Sequence, residues 1–79
     1  MEYRILGRTG VRVSSLCFGT MSFGGDADED MAAAMFRRCR DAGINFFDCA
    51  DVYNRGRSEG ILGRLIRGSR DELVITSKV

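Results

Sequence analysis

Three polar residues of this chain could move a proton together. Asp48 and Tyr53 stand five positions apart in Asp48-Cys49-Ala50-Asp51-Val52-Tyr53, and Lys78, the chain's only lysine, is its second-last residue. A phenol with an ordinary pKa of about 10 is a poor acid near neutrality, but an ammonium beside it stabilises the phenolate and makes it a better one. A carboxylate can hold that ammonium in place. A phenol so placed can hand its proton to a carbonyl oxygen as a hydride reaches the carbon, while the cation favours the developing alkoxide. Each residue also has a plain structural use: Asp48 as a strand-end turn residue, Tyr53 as loop packing, Lys78 as a solvated side chain. Every other basic residue is arginine, so the single lysine marks a position where a compact, deprotonatable amine is wanted.

The trio needs elements to position it, and the hydrophobic pattern supplies them. Tyr3 to Leu6 and Val11 to Val13 flank Gly7-Arg8-Thr9-Gly10, which reads as a small hairpin. Ser15 to Met21 is short and largely apolar, ends at Gly24-Gly25, and is expected to be a buried strand. Asp26 to Ala42 carries helix signals: Asp26 and Asp28 as N-cap candidates, Glu29 and Asp30 in the first turn, arginines near the end and Gly43 as the stop. Its apolar positions Ala32, Met35, Phe36, Cys39 and Ala42 share one face. Ile44 to Asp48 is the second strand. Ser58 is expected to cap a second helix whose apolar face is Ile61, Leu62, Leu65 and Ile66, with Gly68 just past its end. Gly60 and Gly63 are expected to permit close packing on a sheet. Leu73 to Val79 is the third strand, and Gly24-Gly25 lacks the spacing of a dinucleotide or phosphate-loop motif, so it is a turn.

Strand, helix, strand, helix, strand implies an α/β fold with parallel strands and both crossover helices on one face. Phe18, Phe46 or Phe47 and alternate residues of the third strand are then expected on an uncovered face, open to further strands or to self-association. A closed (β/α)₈ barrel would cover it, and such barrels take about 250 residues. Gly19-Thr20-Met21, Asp48 with Tyr53, and Lys78 all fall at carboxyl ends of strands, where parallel α/β folds build sites.

The chain has 79 residues, twelve basic and eleven acidic, for a formal net charge of +1. That balance argues against nucleic acid or an anionic membrane surface as partner. Cys17, Cys39 and Cys49 follow no metal-type spacing and read as reduced thiols, with Cys39 and Cys49 as packing residues and Asp51 as a loop residue. With no apolar leader and no membrane-length apolar run, a cytoplasmic location is expected.

Several motifs in series carry a family resemblance. Tyr3-Arg4-Ile5-Leu6-Gly7-Arg8-Thr9-Gly10, Leu16-Cys17-Phe18-Gly19-Thr20-Met21, Gly43 to Tyr53, Gly56-Arg57-Ser58-Glu59 and Ile75-Thr76-Ser77-Lys78 together resemble the N-terminal part of the aldo-keto reductases. The resemblance runs the length of the chain. It implies a (β/α)₈ TIM barrel, incomplete in this chain, with the hairpin plugging its bottom and residues 1–79 forming the N-terminal portion of a single barrel domain. It further implies reduction of small aldehydes or ketones by NADPH. Tyr53 would be the proton donor, Lys78 the residue that activates it, and Asp48 the carboxylate partnered to that lysine and close to the nicotinamide ribose. Gly19, Thr20 and Met21 would lie along the nicotinamide end of the cofactor.

The departures are specific. Cys49 stands where the family more often has threonine or serine. The family's catalytic histidine has no counterpart, because the chain contains no histidine. Most NADP(H) contacts of the family also lie in later segments, so the 79-residue chain by itself is expected to be inactive. Three readings stay open: the first third of a reductase, a cofactor-bound regulator similar to potassium-channel β subunits, or a small non-catalytic protein that self-associates.

Overall fold

The computed structural model describes residues 1–78. Strands β1 (Tyr3–Ile5) and β2 (Arg12–Ser14) form an antiparallel hairpin. There follow β3 (Phe18–Gly19), helix α1 (Glu29–Asp41), β4 (Phe46–Asp48), helix α2 (Arg57–Leu65) and β5 (Val74–Thr76). A tight turn at Tyr53–Gly56, left-handed at Asn54 and Arg55, precedes α2, and a 3-10 turn at Arg70–Glu72 precedes β5. The sheet order is β3-β4-β5, all parallel, with Gly19 opposite Asp48 and Asp48 opposite Thr76. The α/β class, the hairpin and the element order expected from sequence are those observed.

The strands are shorter than their apolar patterns, for reasons visible in the hydrogen bonds. Ile44 donates its N–H to the Cys39 carbonyl, completing the C-terminal stop of α1, so β4 begins later. Leu73 closes the 3-10 turn onto Arg70, so β5 begins at Val74. The expected end of the third strand, Val79, lies outside the described residues. Pairing nonetheless continues past the strand ends: Thr20 donates to the Asp48 carbonyl, Cys49 to that of Thr76, and Asp51 to that of Lys78. These bonds carry the register out to Lys78.

Helix α1 starts later than expected because residues 22–27 fold on themselves, Gly24 donating to the Ala27 carbonyl and Ala27 to that of Ser22. Asp28, not Asp26, is the N-cap; its carboxylate accepts from the Met31 N–H at 2.9 Å. Gly43 takes the left-handed stop with φ of 92°. Helix α2 corrects two expectations. Its N-cap is the left-handed Gly56, and Ser58 lies inside the first turn, fully buried, donating instead to the Phe23 carbonyl at 2.7 Å. Gly60 and Gly63 are solvent-exposed, and a Cβ on Gly63 would meet nothing within 4 Å, so neither marks a close approach.

Both helices cover one face of the sheet. Phe36 and Cys39 of α1, Ile61 and Leu62 of α2, and Phe23, Phe47 and Leu73 form one buried cluster. The Phe36 and Phe47 rings lie 5.1 Å apart. Phe18 and Ile75 pack against this cluster, which corrects the expectation that Phe18 is uncovered. Because side chains alternate across a strand, Phe46 and Val74 take the opposite face with Asp48 and Thr76. The hairpin is tied near the start of β4. Asn45 accepts from the Ser14 N–H (2.7 Å), donates its amide to the Arg12 carbonyl (3.0 Å) and its own N–H to the Ser14 hydroxyl (3.2 Å). It therefore sits at the amino end of the sheet, away from Asp48.

Candidate active site

The geometry starts with Asp48, the last residue of β4. Phe47 before it is buried under the helices, so strand alternation turns Asp48 to the opposite face. Thr76, directly across on β5, donates its hydroxyl to Asp48 Oδ1 at 2.5 Å. Two residues on, Lys78 projects on the same side and donates Nζ to Asp48 Oδ2 at 2.8 Å and to the Cys49 carbonyl at 2.8 Å. Each carboxylate oxygen therefore has its own donor. Lys78 Nζ also lies 5.1 Å from the centroid of the Tyr53 ring, over its face. The structure thus brings together the three residues that sequence singled out, from strand β4, its following loop and the segment after β5.

Electrostatics follow from these contacts. Lys78 holds the Asp48 carboxyl below its ordinary range, and Thr76 adds to the effect. The Lys78 ammonium is held above its ordinary value, chiefly by Asp48 and further by Tyr53, against a smaller opposing effect of desolvation. The pair is half-exposed, so it is a positioned charge pair open to a ligand rather than a buried salt bridge. The Cys17 thiol is pushed up by desolvation and then by Asp48.

Gly19, Thr20 and Met21 border the trio differently from one another. Gly19 is exposed beside Asp48 in register, and a Cβ built on it would meet nothing within 4 Å. Thr20 is fully buried and spends its hydroxyl on the Asp48 carbonyl at 2.9 Å, so it ties the two strands. Met21 is 67% exposed. Cys49 is buried and Asp51 exposed, as their structural readings expected.

Two residues of the site's framework escaped the sequence reading. One is Thr76, which lies two before Lys78 and so shares its side of a strand; that period was the available signal. The other is Asn54. It adopts a left-handed backbone (φ 49°, ψ 41°) and donates its amide to the Met21 carbonyl at 2.7 Å and the Phe23 carbonyl at 2.8 Å. Its one local signal is that asparagine tolerates this conformation better than most side chains.

A cleft of about 540 Å³ opens elsewhere, lined by Asp28, Glu29, Arg55, Arg57 and Arg64 with neighbouring glycines and Ile61. Both charge signs line it, and Glu29 and Arg64 already pair with each other at 2.7 Å. Among the described residues, no group of three or more histidine, cysteine or acidic side chains is placed to hold a metal ion. No helix among them is long and apolar enough to cross a membrane.

Parallel βα units with polar side chains gathered at the carboxyl end of the strands have the arrangement that opens a (β/α)₈ barrel. Residues 15–79 match the Aldo/keto reductase family, and the chain belongs to it. It is 46% identical to an uncharacterized oxidoreductase of Bacillus subtilis, over all of this chain and 26% of that protein. It is 45% identical to a rice protein described as a "probable voltage-gated potassium channel subunit beta", over all of this chain and 25% of that one. Among solved structures it resembles the holo form of an aldo-keto reductase from Bacillus halodurans, with a TM-score of 0.91 and 38% identity. That likeness covers the whole of this chain and 26% of the other. The fold is accordingly an N-terminal portion of a TIM barrel, and the chain spans about a quarter of the length of these relatives.

Proposed function

We propose that the protein to which this chain contributes is a cytoplasmic NADP(H)-dependent oxidoreductase that reduces small aldehydes or ketones to alcohols. The observation that carries the reading is the Asp48–Lys78 pair at 2.8 Å with Lys78 Nζ over the Tyr53 ring. In this reading Tyr53 donates its hydroxyl proton to the substrate's carbonyl oxygen. Lys78 stabilises the phenolate left behind, and Asp48 keeps the ammonium charged and aimed. Thr76 fixes the second carboxylate oxygen, so that the lysine meets a carboxylate in one orientation.

Gly19 leaves open surface beside the Asp48 carboxylate and Met21 is exposed, which suits the approach of a flat ring along Gly19 and Met21, with the buried Thr20 fixing the strand beneath. The fit supports this segment and Asp48 as the nicotinamide side of an NADP(H) site. When bound, that cofactor supplies the hydride.

The test uses the complete gene product with NADPH and a panel of aldehydes and ketones, followed by the loss of NADPH absorbance. Tyr53→Phe, which keeps the ring over Lys78 and removes the proton, is expected to lower kcat by about 10²–10⁴-fold. Parent-like turnover in that variant would defeat the assignment. The likeness to the rice protein favours one other reading, a regulator that holds the cofactor without appreciable turnover. Tight NADPH binding with no reduction of any panel member would decide for it.

A further inference from the structure

Among the described residues, the polar contacts that hold the segment carrying Tyr53 to the preceding loop come mainly from one side chain. Between Val52 and Gly56 the backbone bonds are local: Tyr53 donates to the Ala50 carbonyl and Arg55 to that of Val52. Among the described residues, the hydrogen bonds that leave this stretch for another loop come from the Asn54 amide. It spans the Met21 carbonyl at 2.7 Å and the Phe23 carbonyl at 2.8 Å, with the Ser58 hydroxyl at 3.4 Å. The fit is close on its other side too, since a Cβ on Gly25 would lie 2.6 Å from Asn54 Oδ1.

Backbone geometry shows that this placement is held against a local preference. Asn54 and Arg55 are consecutive left-handed residues, at φ of 49° and 59°, a conformation that non-glycine residues adopt at a cost. The amide's two carbonyl acceptors flank Ser22, directly after the Gly19–Met21 segment. Asn54 is itself directly after Tyr53. One planar group thus joins the loop bearing the phenol to the loop bearing the nicotinamide-side residues.

We infer that Asn54 is a positioning residue, which locks the Tyr53 loop to the Met21–Phe23 loop so that proton donor and cofactor-side segment hold one spacing. The inference rests on the oxidoreductase reading of the site. Asn54 touches no reacting atom; it acts through Tyr53, whose proton must reach the oxygen as the hydride reaches the carbon.

The experiment uses the complete gene product and two variants. Asn54→Gly keeps the left-handed backbone and removes the amide; Asn54→Asp keeps the size and removes both donors. With para-nitrobenzaldehyde as probe, kcat is expected to fall about tenfold or more in each, the scale on which misplaced reacting groups lose rate. The NADPH Kd, from quenching of protein fluorescence, is expected to stay within about threefold, since the amide bonds main-chain carbonyls rather than cofactor. Amide hydrogen exchange is expected to quicken in residues 21–23 and 53–56 together. Parent-like kcat in both variants, or a loss expressed wholly in the NADPH Kd, overturns the inference. If the parent has no activity, or Tyr53→Phe keeps it, the reading of the site fails instead. Exchange then decides alone, and unchanged exchange in Asn54→Gly overturns the lock.

Discussion

Replacing Ser58 separates two physical roles by the sign of the effect. A serine near the start of α2 looks like an N-cap, and at a helix start an aspartate serves as well as serine. A carboxylate in the first turn would also gain about 0.3–1 kcal/mol from the helix dipole. In the structure Ser58 is fully buried and its hydroxyl donates to the Phe23 carbonyl at 2.7 Å. Ser58→Ala removes that bond and the longer one from the Asn54 amide at 3.4 Å, while Phe23 keeps its bond from Asn54, so the cost is about 1 kcal/mol. For a domain of this size that is about 4–8 °C in Tm. Ser58→Asp instead buries a carboxylate against the Phe23 carbonyl with only the long Asn54 amide contact as a donor, at a cost of about 3 kcal/mol or more, which outweighs the dipole gain. Thermal and urea unfolding followed by far-UV circular dichroism measures both changes. Should Ser58→Asp prove as stable as the parent, Ser58 would be a cap and the buried tie to Phe23 would be wrong.

Two further expectations concern the site and its support. Lys78→Met removes the strongest influence lowering the Asp48 carboxyl, so Asp48 should titrate at higher pH, although Thr76 still holds it down. In the parent, the depressed value means that the stability Asp48 contributes is complete above the ordinary aspartate pKa of about 3.9 and fades as pH falls through the depressed one. For Lys78 the sign is opposite: its contribution is complete below the ordinary lysine pKa of about 10.4 and fades as pH rises through the raised value. Carboxyl-carbon NMR titration reads the Asp48 change directly, and an unmoved Asp48 resonance in Lys78→Met would refute the pairing. Asn45→Leu should release the hairpin at a cost of about 1–3 kcal/mol, because it breaks both side-chain ties to β2. Hydrogen exchange should then rise across residues 3–14 and stay slow in β4 and β5; protection retained in the hairpin would show that Tyr3 and its contacts suffice.

The legible parts of the site were those with a strand-end or helical-face signature. Asp48 could be placed because Phe46-Phe47 is apolar and then stops at a charge, and Lys78 because it follows the β-branched run Val74-Ile75-Thr76. Phe36 and Cys39 could be assigned to the core from helical spacing, and both are buried there. Ser58 was misread because capping residues and buried hydroxyls share a composition; only the position of Phe23's carbonyl separates them. Gly60 and Gly63 were misread because a glycine in a helix signals close packing only when something stands opposite, and nothing does at Gly63.

The chain's own pattern determined the order of elements, the parallel arrangement of β3, β4 and β5, the apolar faces of both helices, and the end of the sheet where the polar trio falls. Those follow from periodicity, caps and chain connectivity, which act over a few residues or through the chirality of the backbone. Tertiary structure alone decided which donor each oxygen of Asp48 receives, that Thr20 spends its hydroxyl on a strand tie, and that Asn54 spans carbonyls 33 and 31 residues away. Such bonds depend on angles and separations set by packing between segments distant in sequence, and no local spacing encodes them.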